Sequence, residues 1–396
     1  MKILVITNLY PPYVLGGYEI LCGQVVEYLK NRGHEIHILT SDHQSNRREG
    51  TIERSLHLFQ PFAQQAGYQR KDRIKTARYN KLVTSQCIEA VKPDVIFIWS
   101  LLRLTPSTAK VSEKSGIPVV YTFNDENISS FLDHRFGLLP KQFAHWLLDT
   151  FINPEITLKG LLFRNTTCIS NVVKRNLIKK GVSIRNSQII YQGIPLEQFP
   201  SKQDSERHTP VKILYAGQLH AYKGVHTLIS ALSILQKDKS LPPFSLTIVG
   251  KGPEEYTEQL KKAAQGHSLT VDFKGLVPHD QMACVYRDHD LFVFPSIWEE
   301  PFGLTHLEAM ASGLPVISTA NGGQGEFLVD ENNALTFLPG NEEDLARQIK
   351  RLLSDPVLSG NIAKAGQETA IAQFSFDRYV DELETLLTKS RQETSR

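Results

Sequence analysis

Long apolar runs are missing from this chain. No stretch approaches the ~18 consecutive apolar residues of a membrane span, and the opening Met-Lys-Ile-Leu-Val-Ile-Thr-Asn has too short an apolar core for a signal peptide. A cytoplasmic protein is expected. Cysteine is scarce: Cys22, Cys87, Cys168 and Cys284 lie far apart and form no C-x-x-C pair. That excludes a zinc site or a disulfide framework and fits a reducing compartment. An excess of one charge is also missing, since 44 basic and 42 acidic residues leave a net charge of +2. A dominant nucleic-acid footprint is thereby disfavoured. The dinucleotide fingerprint G-x-G-x-x-G is absent too: Gly250-Lys-Gly252 begins it, but Glu255 stands where the third glycine is required.

What remains is an ordinary globular composition, 41% hydrophobic and 22% charged over 396 residues, a length that predicts two domains. One local departure is the basic cluster Arg70, Lys71, Arg73, Lys75, Arg78 and Lys81. It reads as a solvated helix face, with a peripheral contact to anionic lipid or to an acceptor as the alternative.

The chain opens with an apolar strand over 2–7, a loop holding Gly16 and Gly17, and a helix with Leu21, Val25, Tyr28 and Leu29 at helical spacing. Strands follow at 34–40, 94–100 and 117–123, with a basic helix near 72–91, an alternation that predicts a mainly parallel sheet. Over 129–164 the pattern changes to a concentration of Phe136, Leu138, Leu139, Phe143, Trp146, Leu147 and Leu148. This is core packing under an insertion, the wall of an acceptor pocket, or a membrane-surface contact. The polar run 200–210 has linker composition and places the boundary between domains 1–200 and 201–375.

Afterwards the alternation restarts, with strands at 211–216, 244–249, 269–273, 291–294 and 315–319 and helices between them. The fold class is α/β, with two doubly wound Rossmann-like domains facing across a cleft. In open parallel sheets ligands bind outside the carboxyl ends of the strands. Asp288-His289-Asp290 resembles a metal motif but precedes a strand, so it reads as helix-to-strand capping, and no metal is expected.

The most informative stretch runs from Phe294 to Ser318. Pro301 disfavours helix for the residue before it, so Glu300 stands in an extended loop at a strand's carboxyl end. A helix should begin near Thr305 and stop at Gly313, with Pro315 beyond. Backbone N–H groups over 303–306 then lack intrahelical partners and form an anion site. Glu308 lies in the first turn, either as the far half of a capping box with Thr305 or as a ligand-binding carboxylate. Lys223, before the next helix of its own unit, is an exposed loop lysine or a diphosphate ligand. Gly16-Gly17 is a plain turn or a place where backbone approaches phosphate. A carboxylate beside an anion site suits neutral hydroxyls. A polyhydroxylated group on a diphosphate, a nucleotide sugar, meets both demands.

In its motifs the sequence resembles the retaining glycosyltransferases of family 4, which have the GT-B fold. The resemblance rests on Gly16-Gly17, Gly193-Ile-Pro195, Lys223-Gly224, Val249 to Pro253, Phe273 to Val277, Pro295-Ser296, the Glu300-x7-Glu308 pair with Phe302-Gly303, and Gly322-Gly323 followed by Glu326. It implies that Glu300 holds donor-sugar hydroxyls, Glu308 binds the ribose and Lys223 stabilises the leaving diphosphate. Backbone at Gly303, Leu304 and Thr305 would bind sugar and phosphate, and Leu276 and Val277 would lie beside the base. Gly16, Gly17, Gln218, Gly250 and Phe302 complete the donor-binding set. The last helix, 376–391, is expected to pack back on the first domain.

Two departures from the family stand out. Gln218 occupies the place of a phosphate-binding arginine, and Asn124, on the acceptor side, that of a histidine near the reacting carbon. The expected activity is transfer of a sugar from a UDP- or GDP-linked donor to a hydroxyl acceptor of unspecified kind, with retained configuration, no metal and no added cofactor. The alternatives are a nucleotide-sugar epimerase or phosphorylase of the same fold, and a catalytically weak nucleotide-sugar-binding protein.

Overall fold

A computed structural model describes residues 1–45, 48–60, 70–132, 153–201 and 207–394. The chain forms two compact units, one of Met1–Ile190 with Val380–Arg396 and one of Tyr191–Tyr379.

Among the described residues the first unit holds an eight-stranded sheet in the order β3-β4-β2-β1-β5-β6-β7-β8. Its strands are β1 (Lys2–Ile6), β2 (Glu35–Ser41), β3 (Arg48–Glu49), β4 (Ile52–Leu56), β5 (Val95–Ile98), β6 (Val119–Phe123), β7 (Asn165–Cys168) and β8 (Gln188–Ile189). All pairings are parallel except β3 against β4. β1 lies inside the sheet, and its unbroken Ile-Leu-Val-Ile run is buried throughout, as a strand covered on both faces requires.

β4 lies in what reads as a polar connection. Its Arg54 is buried, and the guanidinium donates to the carbonyls of Tyr10 (3.1 Å) and Pro11 (2.6 Å). That fastens the loop running from β1 towards Gly16. Arg73 likewise leaves the solvated face expected of the basic cluster: it is buried, donates to the Ile156 carbonyl at 2.8 Å, and lies over the Phe131 ring at 4.5 Å. Lys71, Lys75, Arg78 and Lys81 remain exposed. The apolar residues Phe136 to Leu148 lie outside the described residues, as do positions 202–206 of the linker.

The second unit holds a six-stranded parallel sheet in the order β11-β10-β9-β12-β13-β14. These strands are β9 (Val211–Ala216), β10 (Phe244–Val249), β11 (Val271–Gly275), β12 (Leu291–Phe294), β13 (Val316–Ser318) and β14 (Leu335–Thr336). The unit begins at Tyr191, ahead of the polar run 200–210 that marks the boundary by composition. Packing decides this: the Tyr191 ring stacks on Phe302 at 5.7 Å and meets Phe374 edge-on at 6.0 Å, and Ile194 pairs with Ser375.

The final helix, Phe376–Thr394, starts in the second unit and belongs to the first from Val380 onward. Val380, Leu383 and Leu387 are buried, while Glu384 takes Arg32 (2.5 Å) and His34 (2.7 Å). The apolar contacts outweigh these partly exposed pairs, which are worth about 1 kcal/mol each. Leu387→Ala should destabilise the first unit by about 2–5 kcal/mol, read as a lower urea midpoint, whereas Glu384→Gln should shift that midpoint only slightly.

Candidate functional site

The strand order of the second sheet reverses between β9 and β12, which lie side by side. The expected site residues of this unit all follow carboxyl ends of strands. Gln218 and Lys223 come after β9, Gly250 after β10, Leu276 and Val277 after β11, and Glu300 through Glu308 after β12.

The loops after β9 and β12 are bonded together, because the Tyr222 carbonyl accepts the N–H groups of Ile297 (2.9 Å) and Trp298 (3.2 Å). This brings Lys223 to Glu300. The ammonium donates to both carboxylate oxygens, at 2.8 and 2.7 Å, and the Ser296 hydroxyl donates to the same carboxylate at 2.6 Å. Both charged side chains are nearly buried. Rings of Tyr222, Phe294 and Trp298 surround the ammonium at 5.7, 5.6 and 5.3 Å, a favourable setting for a cation.

The backbone after β10 approaches closely as well. Gly250 has φ +139°, and a Cβ there would lie 1.8 Å from the Gly217 carbonyl oxygen. Gln218 is exposed, and its carbonyl accepts the Tyr215 hydroxyl at 2.8 Å. Leu276 is 69% exposed at the end of β11, an apolar surface fit to meet a flat ligand.

The helix following β12 spans Leu304–Ala311 with Gly303 as its N-cap. Thr305 is therefore the second helical residue and cannot cap, which corrects the capping-box reading of Thr305 and Glu308. Glu308 points elsewhere: it is buried, and its carboxylate accepts the Tyr286 hydroxyl at 2.8 Å and pairs with His279 Nε2 at 3.1 Å. The helix starts one residue early because Gly303, at φ +133°, makes the turn, and a Cβ there would stand 2.8 Å from His306 Nδ1.

His306 is fully buried beneath that turn. Burial, reinforced by Lys223, pushes its pKa down to about 3, so the ring is neutral at working pH. Its Nε2 bonds the Ser318 hydroxyl at 2.8 Å, and that hydroxyl also lies 3.0 Å from the Phe294 and Thr319 carbonyl oxygens. The Nδ1 side of the ring lies against the Gly303 backbone. The helix start receives its positive potential from backbone dipoles and not from an imidazolium. Phe302, expected near the donor, turns its side chain inward, stacking on Tyr191 and packing against Phe327 and Phe374.

In the first unit, the Gly16 N–H donates to Glu19 Oε2 at 3.0 Å. The turn is held by its own helix, and a Cβ added at Gly16 or Gly17 would meet no atom within 4 Å, so the space beside them is open. Asn124 follows β6, is buried, and donates to the Trp99 carbonyl at 3.4 Å. Asp288 and Asp290 serve the strand starts, through Lys212 Nζ (2.7 Å) and the Lys212 N–H (2.9 Å). Among the described residues no group of three or more His, Cys, Asp or Glu side chains is placed to hold a metal ion, and no helix is long and apolar enough to cross a membrane. Sequence reasoning did not assign roles to Ser296, Trp298, His279, Tyr286 or His306. For His306 the signal was available, as a histidine inside a largely apolar helical run.

Comparison with known families decides the class. Residues 15–198 match Glycosyltransferase Family 4, and residues 197–369 match Glycosyl transferases group 1. The chain belongs to the glycosyltransferases of family 4 type. It is 26% identical to a glycogen synthase of Mycobacterium tuberculosis over 72% of this chain and 66% of that one, so it spans just under two thirds of that relative. It is 25% identical to an uncharacterized glycosyltransferase of Methanocaldococcus jannaschii over 96% of each. Among solved structures, Anabaena HepE in complex with UDP and glucose superposes with a TM-score of 0.70 at 20% identity, over 98% of this chain and 100% of that one. The sucrose-phosphate synthase of Thermosynechococcus elongatus gives 0.73 at 20% identity over 98% of each. These likenesses give the glycosyltransferase the GT-B fold.

Two stability tests separate the local roles. Thr305→Ala should leave the melting temperature within experimental error, lacking the ~1 kcal/mol loss of a cap. Gly250→Ala should lower it markedly, costing upwards of about 2 kcal/mol for the clash and the φ.

Proposed function

We propose that this glycosyltransferase moves a sugar from a UDP- or GDP-linked donor to a hydroxyl acceptor with retained anomeric configuration and without a metal ion. The observation that carries the reading is the buried Lys223–Glu300 pair at the strand switch, beside the start of a helix whose glycine cap offers no side-chain hydrogen bond. On donor binding the diphosphate takes the ammonium, and sugar hydroxyls take the carboxylate in its place. The Gly303, Leu304 and Thr305 backbone meets sugar and phosphate, Glu308 the ribose, and Leu276 with Val277 the base. Gly250 shapes the floor, Phe302 contributes through its backbone, and Gly16 and Gly17 keep their phosphate-side role. The solved UDP and UDP-glucose complexes of Anabaena HepE support a uridine donor among the alternatives.

In the reaction, the bond from the anomeric carbon to the diphosphate oxygen breaks and the bond to the acceptor oxygen forms on the same face. The departing diphosphate accepts the acceptor's proton. Charge grows on that oxygen, and preorganised donors there are worth several kcal/mol. With Gln218 in place of an arginine, Lys223 carries a larger share. Asn124 stands on the acceptor side. The protein acts in the cytoplasm, and the exposed lysines of helix Arg70–Val91 form a solvated face, with peripheral contact to anionic lipid or to an acceptor as the alternative.

Lys223→Ala should reduce transfer by about 10²–10³-fold, measured as nucleoside diphosphate released in the presence of acceptor, with the rate insensitive to EDTA. Unimpaired turnover in that variant would remove Lys223 from the mechanism.

A further inference from the structure

Glu308 is a buried carboxylate with neither lysine nor arginine on it among the described residues. A buried charge of this kind is costly unless paired. Its two oxygens are held by different kinds of group. Tyr286 is fully buried and packs edge-on to Phe292 and Phe199, both at 6.0 Å, so its hydroxyl is part of the framework. His279 is partly exposed, its side chain 27% accessible, and it stands in the turn His279–Gln281 two residues after Val277. It thus ties the loop bearing Leu276 and Val277 to the carboxylate.

We propose that His279 is a positioning residue for the nucleotide half of the donor, holding and neutralising Glu308 from the loop that borders the base. This role rests on the donor-binding reading given above. An ionised carboxylate offers about four lone-pair sites. Tyr286 and His279 occupy two, which leaves a pair of acceptors suited to the adjacent hydroxyls of a ribose.

The imidazole is the titrating member. Its charged neighbours are Glu308, from the helix Leu304–Ala311, and Asp280 of its own turn, while Phe199 presents a ring edge at 6.0 Å. The hydrogen bond to Glu308 raises its pKa above the ordinary 6.5 against the opposing effect of burial, and Asp280 adds to the rise. The interaction is complete below that range and is lost as pH rises through the folded-state pKa. Nucleotide affinity should follow the same course.

The experiment is calorimetric titration of the full chain with UDP and with GDP at pH 6 and pH 8.5, for wild type, His279→Gln and His279→Asn. Ionisation of the nucleotide is common to all three proteins and cancels in the comparison. Wild type should lose roughly fivefold to tenfold more affinity than the variants between the two pH values, the scale of one charge-assisted hydrogen bond. At pH 6 the variants should bind more weakly. Nucleotide binding with the same affinity and pH response in wild type and variants overturns the role of His279 and leaves the donor reading intact. Failure of wild type to bind either nucleotide overturns both.

Discussion

The second unit is organised by a constraint on backbone proximity. β9 and β12 lie next to each other where the strand order reverses, so the loops leaving their carboxyl ends must share one small volume. They do so by hydrogen bonding through the Tyr222 carbonyl, and the loop after β10 fits against them because Gly250 has no side chain. The Lys223–Glu300 pair follows from this packing. Two opposite charges taken out of water together are tolerable, and either one alone is not. A ligand that offers an anion to one and hydroxyls to the other can replace both interactions at once.

Around that pair the protein places neutral groups where charges would interfere. His306 sits under the helix start, yet burial keeps it uncharged. Glu308 is one helical turn further on, held by Tyr286 and His279. The two glutamates of the Glu300-x7-Glu308 spacing therefore have separate partners in separate surroundings. An acid/base couple acting across one bond would need them aimed at a common atom.

Much of this was legible in the sequence. The strands with continuous apolar runs, such as β1, β5, β9 and β12, announce themselves, and so do the loops that follow them. β7 does not, because Asn-Thr-Thr-Cys carries no apolar signal although Thr166, Thr167 and Cys168 are buried. β4 is hidden by Arg54, whose burial depends on two carbonyls contributed from more than forty residues earlier in the chain. Pro301 correctly places Glu300 outside the helix. The Thr305 capping box misleads because a local pattern cannot reveal that Gly303 turns the chain first. Contacts such as Glu308 with His279 join positions 29 residues apart, and no spacing rule encodes them.

The terminal helix has a consequence for how the molecule is made. Because Val380–Arg396 belongs to the same compact unit as Met1–Ile190, that earlier segment lacks a piece of its core until the later one has been made. The second unit is contiguous, and its whole sequence emerges from the ribosome earlier than that missing piece. Domains generally form as units during synthesis, so the second unit can be completed before the first, which stays unfinished until Val380–Arg396 has followed.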